Sequence, residues 1–270
     1  MANGSNDGGQ ALRDIDTTIP HSARIWNYWL GGKDNFQVDR DAGDEFLTYY
    51  PVQRDKARAC RYFLARAVRY LVREAGVRQF LDIGTGLPTA NNTHEVAQRA
   101  APESRIVYVD NDPLVLAHAR ALLTSSPEGA TRYIDADLHD PEAILAQAEK
   151  VLDFSRPVAL LLIGVLGHIE DYDGARAIVR RLLNGLPSGS YFVQCDGTDT
   201  SEAYIAAIEH YRDQGGVPYN VRTYQEIAGF YEGLELVEPG IVPIPQWRPE
   251  PNRFGDPPDV DELGGVGRKD

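Results

Sequence analysis

Residues 157–166 read PVALLLIGVL, an apolar run almost without interruption. A strand of that texture has no solvent face, and a parallel sheet covered by helices on both sides is what buries both faces. The flanking sequence supplies such a sheet. QFLDIG (79–84), RIVYVD (105–110), TRYIDAD (131–137) and SYFVQCD (190–196) have the length and β-branched or aromatic content of strands. Helical segments separate them: about 90–101, DPLVLAHARALL, PEAILAQAEKVL and DGARAIVRRLLNGL (173–186). The alternation predicts an α/β fold with a doubly wound parallel sheet. After residue 196 the rhythm changes to a helix over about 200–213 and a second opened by the capping box Thr223-Tyr-Gln-Glu226. LELVEPGIVPIP (234–245) is expected as a late strand, its prolines suiting an edge or turn.

Upstream of the sheet, the division expected is a flexible leader over 1–18, a helical arm over 19–78 and a main domain over 79–270. HSARIWNYWLGGKDNF (21–36) holds two of the three tryptophans. It predicts a helix over 22–30 with Ser22 as N-cap and Gly31 as its stop. Ile25, Trp26, Trp29 and Leu30 share one face. Further helices are expected over about 38–49 and 52–75, the second carrying Arg54, Arg58, Arg61, Arg66, Arg69 and Arg73. A solvated face is the expectation for those arginines, with a docking surface as the alternative.

Composition narrows the function classes. The net charge of −13 disfavours a general nucleic-acid binder, because phosphate neutralisation needs surplus Lys and Arg. No apolar run reaches membrane-spanning length, and the N-terminus has no signal-peptide pattern. Cys60 and Cys195 are far apart, with no zinc-ligand spacing, so no metal site and a reducing cytoplasm are expected.

The most informative motif is Asp82-Ile-Gly84-Thr-Gly86, at the end of the first sheet strand. In an open α/β sheet that rim is the ligand crevice, and glycines there let backbone approach a ligand. Asp110 ends the second strand, where a carboxylate accepts from ribose hydroxyls, and Asp137 follows the third, placed for an adenine amino group. Gly164, Val165 and Leu166 end the fourth. Each acid alone is equally readable as a helix cap; together they indicate a nucleoside. A dinucleotide site would want a third glycine, where Thr89 stands behind Pro88. Asp82 suits an ammonium better than a pyrophosphate. These residues favour S-adenosylmethionine.

The chain resembles the class I S-adenosylmethionine-dependent methyltransferases, and within them the actinobacterial S-adenosyl methyltransferase family first catalogued as a domain of unknown function. The segments that carry this are ARIWNYWLGGKDNF, FLDIGTGLPTANNTHEVAQ, VYVDNDPLVLAHA, YIDADLHDP, LLLIGVLGHI, VPIPQWRPE and GGVGRK, spread over residues 23–269. The resemblance implies a Rossmann-like, seven-stranded sheet, mostly parallel with a late antiparallel hairpin, and an N-terminal helical arm. It implies that Gly84 and Gly86 border the methionine part of the cofactor, that Asp110 with Asn111 holds the ribose, and that Asp137 and Leu138 bracket the adenine. Methyl transfer to a small-molecule acceptor is the expected activity, with S-adenosylhomocysteine as product. A cofactor-binding protein without transferase activity is the alternative, and an NAD-dependent oxidoreductase a weaker one.

Ile163-Gly-Val-Leu-Gly-His168 lacks the Asp/Asn-Pro-Pro-aromatic run of enzymes that methylate nucleobase amines. His168, at the mouth of the expected site, is the base candidate if the acceptor must lose a proton, and a packing role is its alternative. Residues 22–32 are expected to form a lid that excludes water. In that arrangement Trp26 and Trp29 anchor the lid, while Tyr28 and Lys33-Asp34-Asn35 face the ligand. Aromatics of the arm and of the late segment (Tyr219, Tyr224, Phe230, Tyr231, Trp247) are expected to wall an acceptor pocket. The sequence does not identify the acceptor or the oligomeric state.

Overall fold

The computed structural model describes residues 16–122, 125–250 and 259–270; residues 1–15 of the expected leader lie outside them. The strands of the sheet are β1 (Gln79–Ile83), β2 (Arg105–Asp110), β3 (Ala130–Asp135), β4 (Ala159–Ile163), β5 (Tyr191–Gly197), β6 (Leu234–Leu236), β7 (Val242–Pro243) and β8 (Glu262–Lys269). Their order is β3-β2-β1-β4-β5-β8-β6, with β7 also paired to β8. β1 to β5 are mutually parallel, and β8 runs antiparallel between β5 and β6. The expected α/β class, with its late antiparallel strands, is what forms.

Strand alternation feeds two cores. Leu81, Ile83, Leu160 and Leu162 point to one side, against α6 (Pro141–Ala148) and α7 (Tyr172–Asn184). Phe80, Ala159 and Leu161 point to the other, against α3 (Gln53–Arg73) and α4 (Thr93–Ala100). β1 is buried on both faces, which is why its sequence reads as continuous rather than alternating.

The arm is built into the fold. Helices α1 (Ser22–Trp29) and α2 (Gln37–Tyr49) share an aromatic cluster with α8 (Glu202–Asp213), in which Trp29, Phe46 and Tyr204 pack together. Ser22 is the first helical residue, and His21 takes the N-cap position with no side-chain cap. Gly32 lies so close to Asn27 that a Cβ would come within 2.4 Å of its amide. That contact seats the Asn27 oxygen, which accepts from the Asp34 N–H and Asn35 Nδ2.

Three departures from expectation have physical causes. β4 stops at Ile163 because Gly164 turns at φ +68. The 234–245 segment gives only the three residues of β6 and the two of β7, separated by a turn through Pro239 and Gly240. Among the described residues the sheet accordingly has eight strands rather than seven. The arginines of α3 are not uniformly solvated. Arg66 donates to the carbonyls of Trp247 (2.8 Å) and Ile244 (2.6 Å), fastening the late segment to the helix.

Lys56 and Glu262 join α3 to β8 through an ion pair of 2.9 Å, exposed by only 1% and 2%. Burial alone would push the Lys56 pKa down, but Glu262 and Tyr204 outweigh it and hold it above the ordinary value. Among the described residues no helix is long and apolar enough to cross a membrane. Breaking a buried pair leaves an uncompensated charge. Glu262→Gln is expected to destabilise the fold by about 3–5 kcal/mol. Adding Lys56→Met should recover much of that loss in urea unfolding, as a positive coupling in a double-mutant cycle.

Candidate active site

The strand order turns back between β1 and β4, and a crevice opens beyond their C-terminal ends, as at other topological switch points. The Gly84 N–H bonds to Val109 O at 2.8 Å, and the Gly164 N–H bonds to Cys195 O at 2.8 Å. Both glycines have positive φ (+70 and +68). A Cβ on Gly84 would strike Val165 at 2.4 Å, while one on Gly164 would meet no protein atom and enter open space. The result is a cavity of about 370 Å³ with backbone on its floor.

Among the described residues three carboxylates line it. Asp82 is buried at the floor, where the hydroxyl of Thr93, the first residue of α4, donates to it at 2.6 Å. Burial pushes its carboxyl up to about 6. Asp110 accepts from the N–H groups of Gly86 (2.9 Å) and Asp112 (3.0 Å), and burial raises its pKa. Asp137 lies in the loop beyond β3, which ends at Asp135, and is exposed. The His139 backbone N–H (2.9 Å) holds its pKa low, and its Oδ1 also contacts the His139 ring at 2.7 Å. Asn111 is exposed at the same rim, and Leu138 is buried beside it. Gly84, Gly86, Gly164 and Val165 complete the part of the lining expected from the strand ends.

The arm covers the cavity with a different face from the one expected. His21, Trp26, Asn27 and Leu30 line it; Tyr28 and Asp34 do not. The Tyr28 hydroxyl donates to Asp44 at 2.6 Å and lies beside Arg54, so its ring is tied to α2 and α3. Asp34 is paired with His118 Nε2 at 3.1 Å. His21 Nδ1 meets Asp112 Oδ2 at 2.9 Å, clasping the start of α1 to the end of β2.

Arg61 and Cys60 of α3 also line the cavity, and neither was expected there. Arg61 donates to the carbonyls of Ala90 and Asn91, bracing the loop that follows the glycine turn. The recurrence of arginines along α3 gives no sign that one of them points at a ligand. The two cysteines, distant in sequence, come together with Glu262, all three buried.

His168, at the far end of the cavity, stands edge-on to Tyr219 at 5.3 Å between ring centroids. Its Nδ1 is 2.9 Å from Pro218 O. A carbonyl only accepts, so Nδ1 carries the proton and Nε2 keeps its lone pair. Burial lowers its pKa, favouring the neutral ring. Of the late aromatics, Tyr219 borders this region, whereas Phe230, Tyr231 and Trp247 are packed in the cores and Tyr224 is exposed.

Residues 8–270 match the S-adenosyl methyltransferase family model. A DUF574-family protein from Streptomyces avermitilis MA-4680 is similar at 46% identity, covering 94% of this chain and 99% of its own, with a TM-score of 0.89. A candidate methyltransferase from Thermobifida fusca YX is 40% identical over 94% of this chain and 96% of its own, with a TM-score of 0.86. No curated protein matches in sequence.

The Asp82 carboxyl must be ionised to hold an ammonium, and its pKa near 6 places that requirement within reach of titration. Affinity for S-adenosylhomocysteine is expected to be constant above that pH and to fall by up to about tenfold per unit below it. Calorimetry over about pH 5–8 would check it. Asp82→Asn is expected to bind more weakly throughout and to lose that slope.

Proposed function

This chain belongs to the S-adenosyl methyltransferase family, and from that membership we propose that it transfers a methyl group from S-adenosylmethionine to a small-molecule acceptor. One observation carries the reading: a single cavity runs from the Asp82 and Asp110 carboxylates to the His168 imidazole under the cover of α1.

The residues suit this cofactor. Gly164 leaves open space where a side chain would stand, and Asp82 offers a buried anion to an α-ammonium group. A pyrophosphate fits poorly, because Asp82 and the Thr93 hydroxyl occupy the region at the N-terminus of α4. In the proposed arrangement Asp82 holds the amino-acid end. Asp110 accepts from the ribose hydroxyls, and Asp137, Leu138 and Asn111 surround the base. Gly84, Gly86, Gly164 and Val165 border the middle of the ligand. Tyr28 and Asp34 are left out of contact, and Trp26 and Asn27 take the place expected for them.

When bound, the cofactor supplies a methyl group already activated on a sulfonium. The protein then has to align an acceptor, exclude water and take a proton where the acceptor carries one. The Pro218 carbonyl fixes the His168 tautomer, so Nε2 presents its lone pair to the acceptor as the base. The acidic balance of the chain favours a small acceptor over a nucleic acid.

Transfer of labelled methyl from S-adenosylmethionine into fractionated small-molecule extracts tests the reading, with S-adenosylhomocysteine release as the second readout. Binding of S-adenosylhomocysteine without transfer to any fraction would leave the cofactor-binding alternative. Tight NAD binding without a response to S-adenosylhomocysteine would overturn both. His168→Ala is expected to lower turnover by about 10²–10⁴-fold while leaving S-adenosylhomocysteine affinity unchanged.

A further inference from the structure

The large cavity continues past His168 into a second pocket of about 50 Å³. Ser22, Trp26, His168 and Val217 line both, so the two volumes meet across these four side chains. Beyond them the wall is apolar and aromatic, formed chiefly by Trp29, Phe46, Tyr204, Tyr211 and Tyr219. Among the described residues that line it there is no carboxylate, Lys or Arg.

Two polar groups in that wall are unsatisfied, the side-chain oxygen of Gln53 and the hydroxyl of Tyr211. Gln53, the first residue of α3, is 2% exposed, and its side-chain Oε1 is buried with no hydrogen-bond partner. Such a group is costly to leave unpaired. The Tyr219 hydroxyl is in a different state: it donates to Asp196 at 2.9 Å and accepts from the Gly197 N–H at 3.1 Å, so it has no need of a ligand. A largely aromatic pocket with two unpaired polar groups, of which the Gln53 oxygen can only accept, selects a compact molecule with a matching donor.

We propose that this pocket is the acceptor subsite and that it takes a compact phenol with a second hydrogen-bond donor. The ring lies among the aromatic side chains, the second donor reaches Gln53 Oε1, and the reacting hydroxyl faces His168 Nε2. This rests on the methyl-transfer reading and deepens it. An ammonium-bearing acceptor is disfavoured because the wall offers no counter-charge for a desolvated cation. An aliphatic hydroxyl is a much weaker acid than a phenol, whose ionisation near pH 10 an imidazole can assist. The ring is larger than the pocket, so it straddles the junction with the larger cavity, where His168 lines both volumes. In the reaction a new bond forms from the phenolic oxygen to the methyl carbon, and the carbon–sulfur bond breaks with its electron pair going to sulfur. The phenolic proton passes to His168 Nε2 and then to solvent. The products are an aryl methyl ether, S-adenosylhomocysteine and a proton.

The test uses the full chain saturated with S-adenosylhomocysteine and follows quenching of tryptophan fluorescence by catechol, phenol, toluene and benzylamine. Catechol is expected to bind most tightly, with phenol weaker for want of the second donor. Gln53→Leu, which keeps the shape, should weaken catechol about tenfold and leave toluene and S-adenosylhomocysteine unchanged. Val217→Trp, at a 37% exposed position on the shared mouth, should block catechol and serves if the Gln53 variant fails to fold. Equal catechol affinity in wild type and Gln53→Leu, or in wild type and Val217→Trp, would overturn the assignment. So would tighter binding of benzylamine than of catechol, or no catechol binding to protein that does bind S-adenosylhomocysteine. Absence of S-adenosylhomocysteine binding would instead remove the methyl-transfer reading, and this inference with it.

Discussion

Burial of β1 and β4 on both faces is the constraint from which the site follows. Parallel neighbours cannot be joined by tight hairpins, so each connection must leave the sheet, form a helix and return. With β2 and β3 laid to one side of β1 and β4 and β5 to the other, the chain parts at the β1–β4 boundary. Gly84 and Gly164 sit at that parting, and the acids that end or follow β1, β2 and β3 all reach the same rim. The chemistry of the cavity is a consequence of where the sheet changes direction.

The arm completes the cavity because it is fastened at several independent points. Arg24 and Asp39 form a buried pair at 3.0 Å between α1 and α2, and His21 reaches Asp112 at the end of β2. Lys56 and Glu262 lock α3 to β8. Exposed pairs such as Arg58–Asp55 contribute about 0–1 kcal/mol, whereas buried pairs are costly when one partner is removed. The buried ones therefore set the position of α1, and with it the side chains that overlie the ligand crevice. Trp26 is the junction: it lines both the large cavity and the aromatic pocket.

The strand ends were legible because a strand buried on both faces writes its identity into five or six consecutive residues. Asp82, Gly84, Asp110 and Gly164 could be placed at one rim from that pattern alone. Asp137 was less exact, since β3 ends two residues earlier and leaves it on a loop. The arm was legible as a helix but not in its orientation. In α1, Ile25 and Trp29 pack into the cluster with α2 and α8, Trp26 and Asn27 face the cavity, and Tyr28 turns to Asp44. A helix with contacts on nearly every side has no solvent face from which its rotation can be inferred.

Local periodicity was thus enough to determine the α/β alternation, the glycine turn and the acidic strand ends, because each depends on neighbours within one element. Only the tertiary structure decided that β8 inserts antiparallel between β5 and β6, that Arg66 fastens the late segment, and that Cys60 and Cys195 meet beside Glu262. It likewise decided that Gln53 and His168 line one pocket. Those contacts join residues far apart in the chain, and no short-range pattern of hydrophobicity or charge carries the information that brings them together.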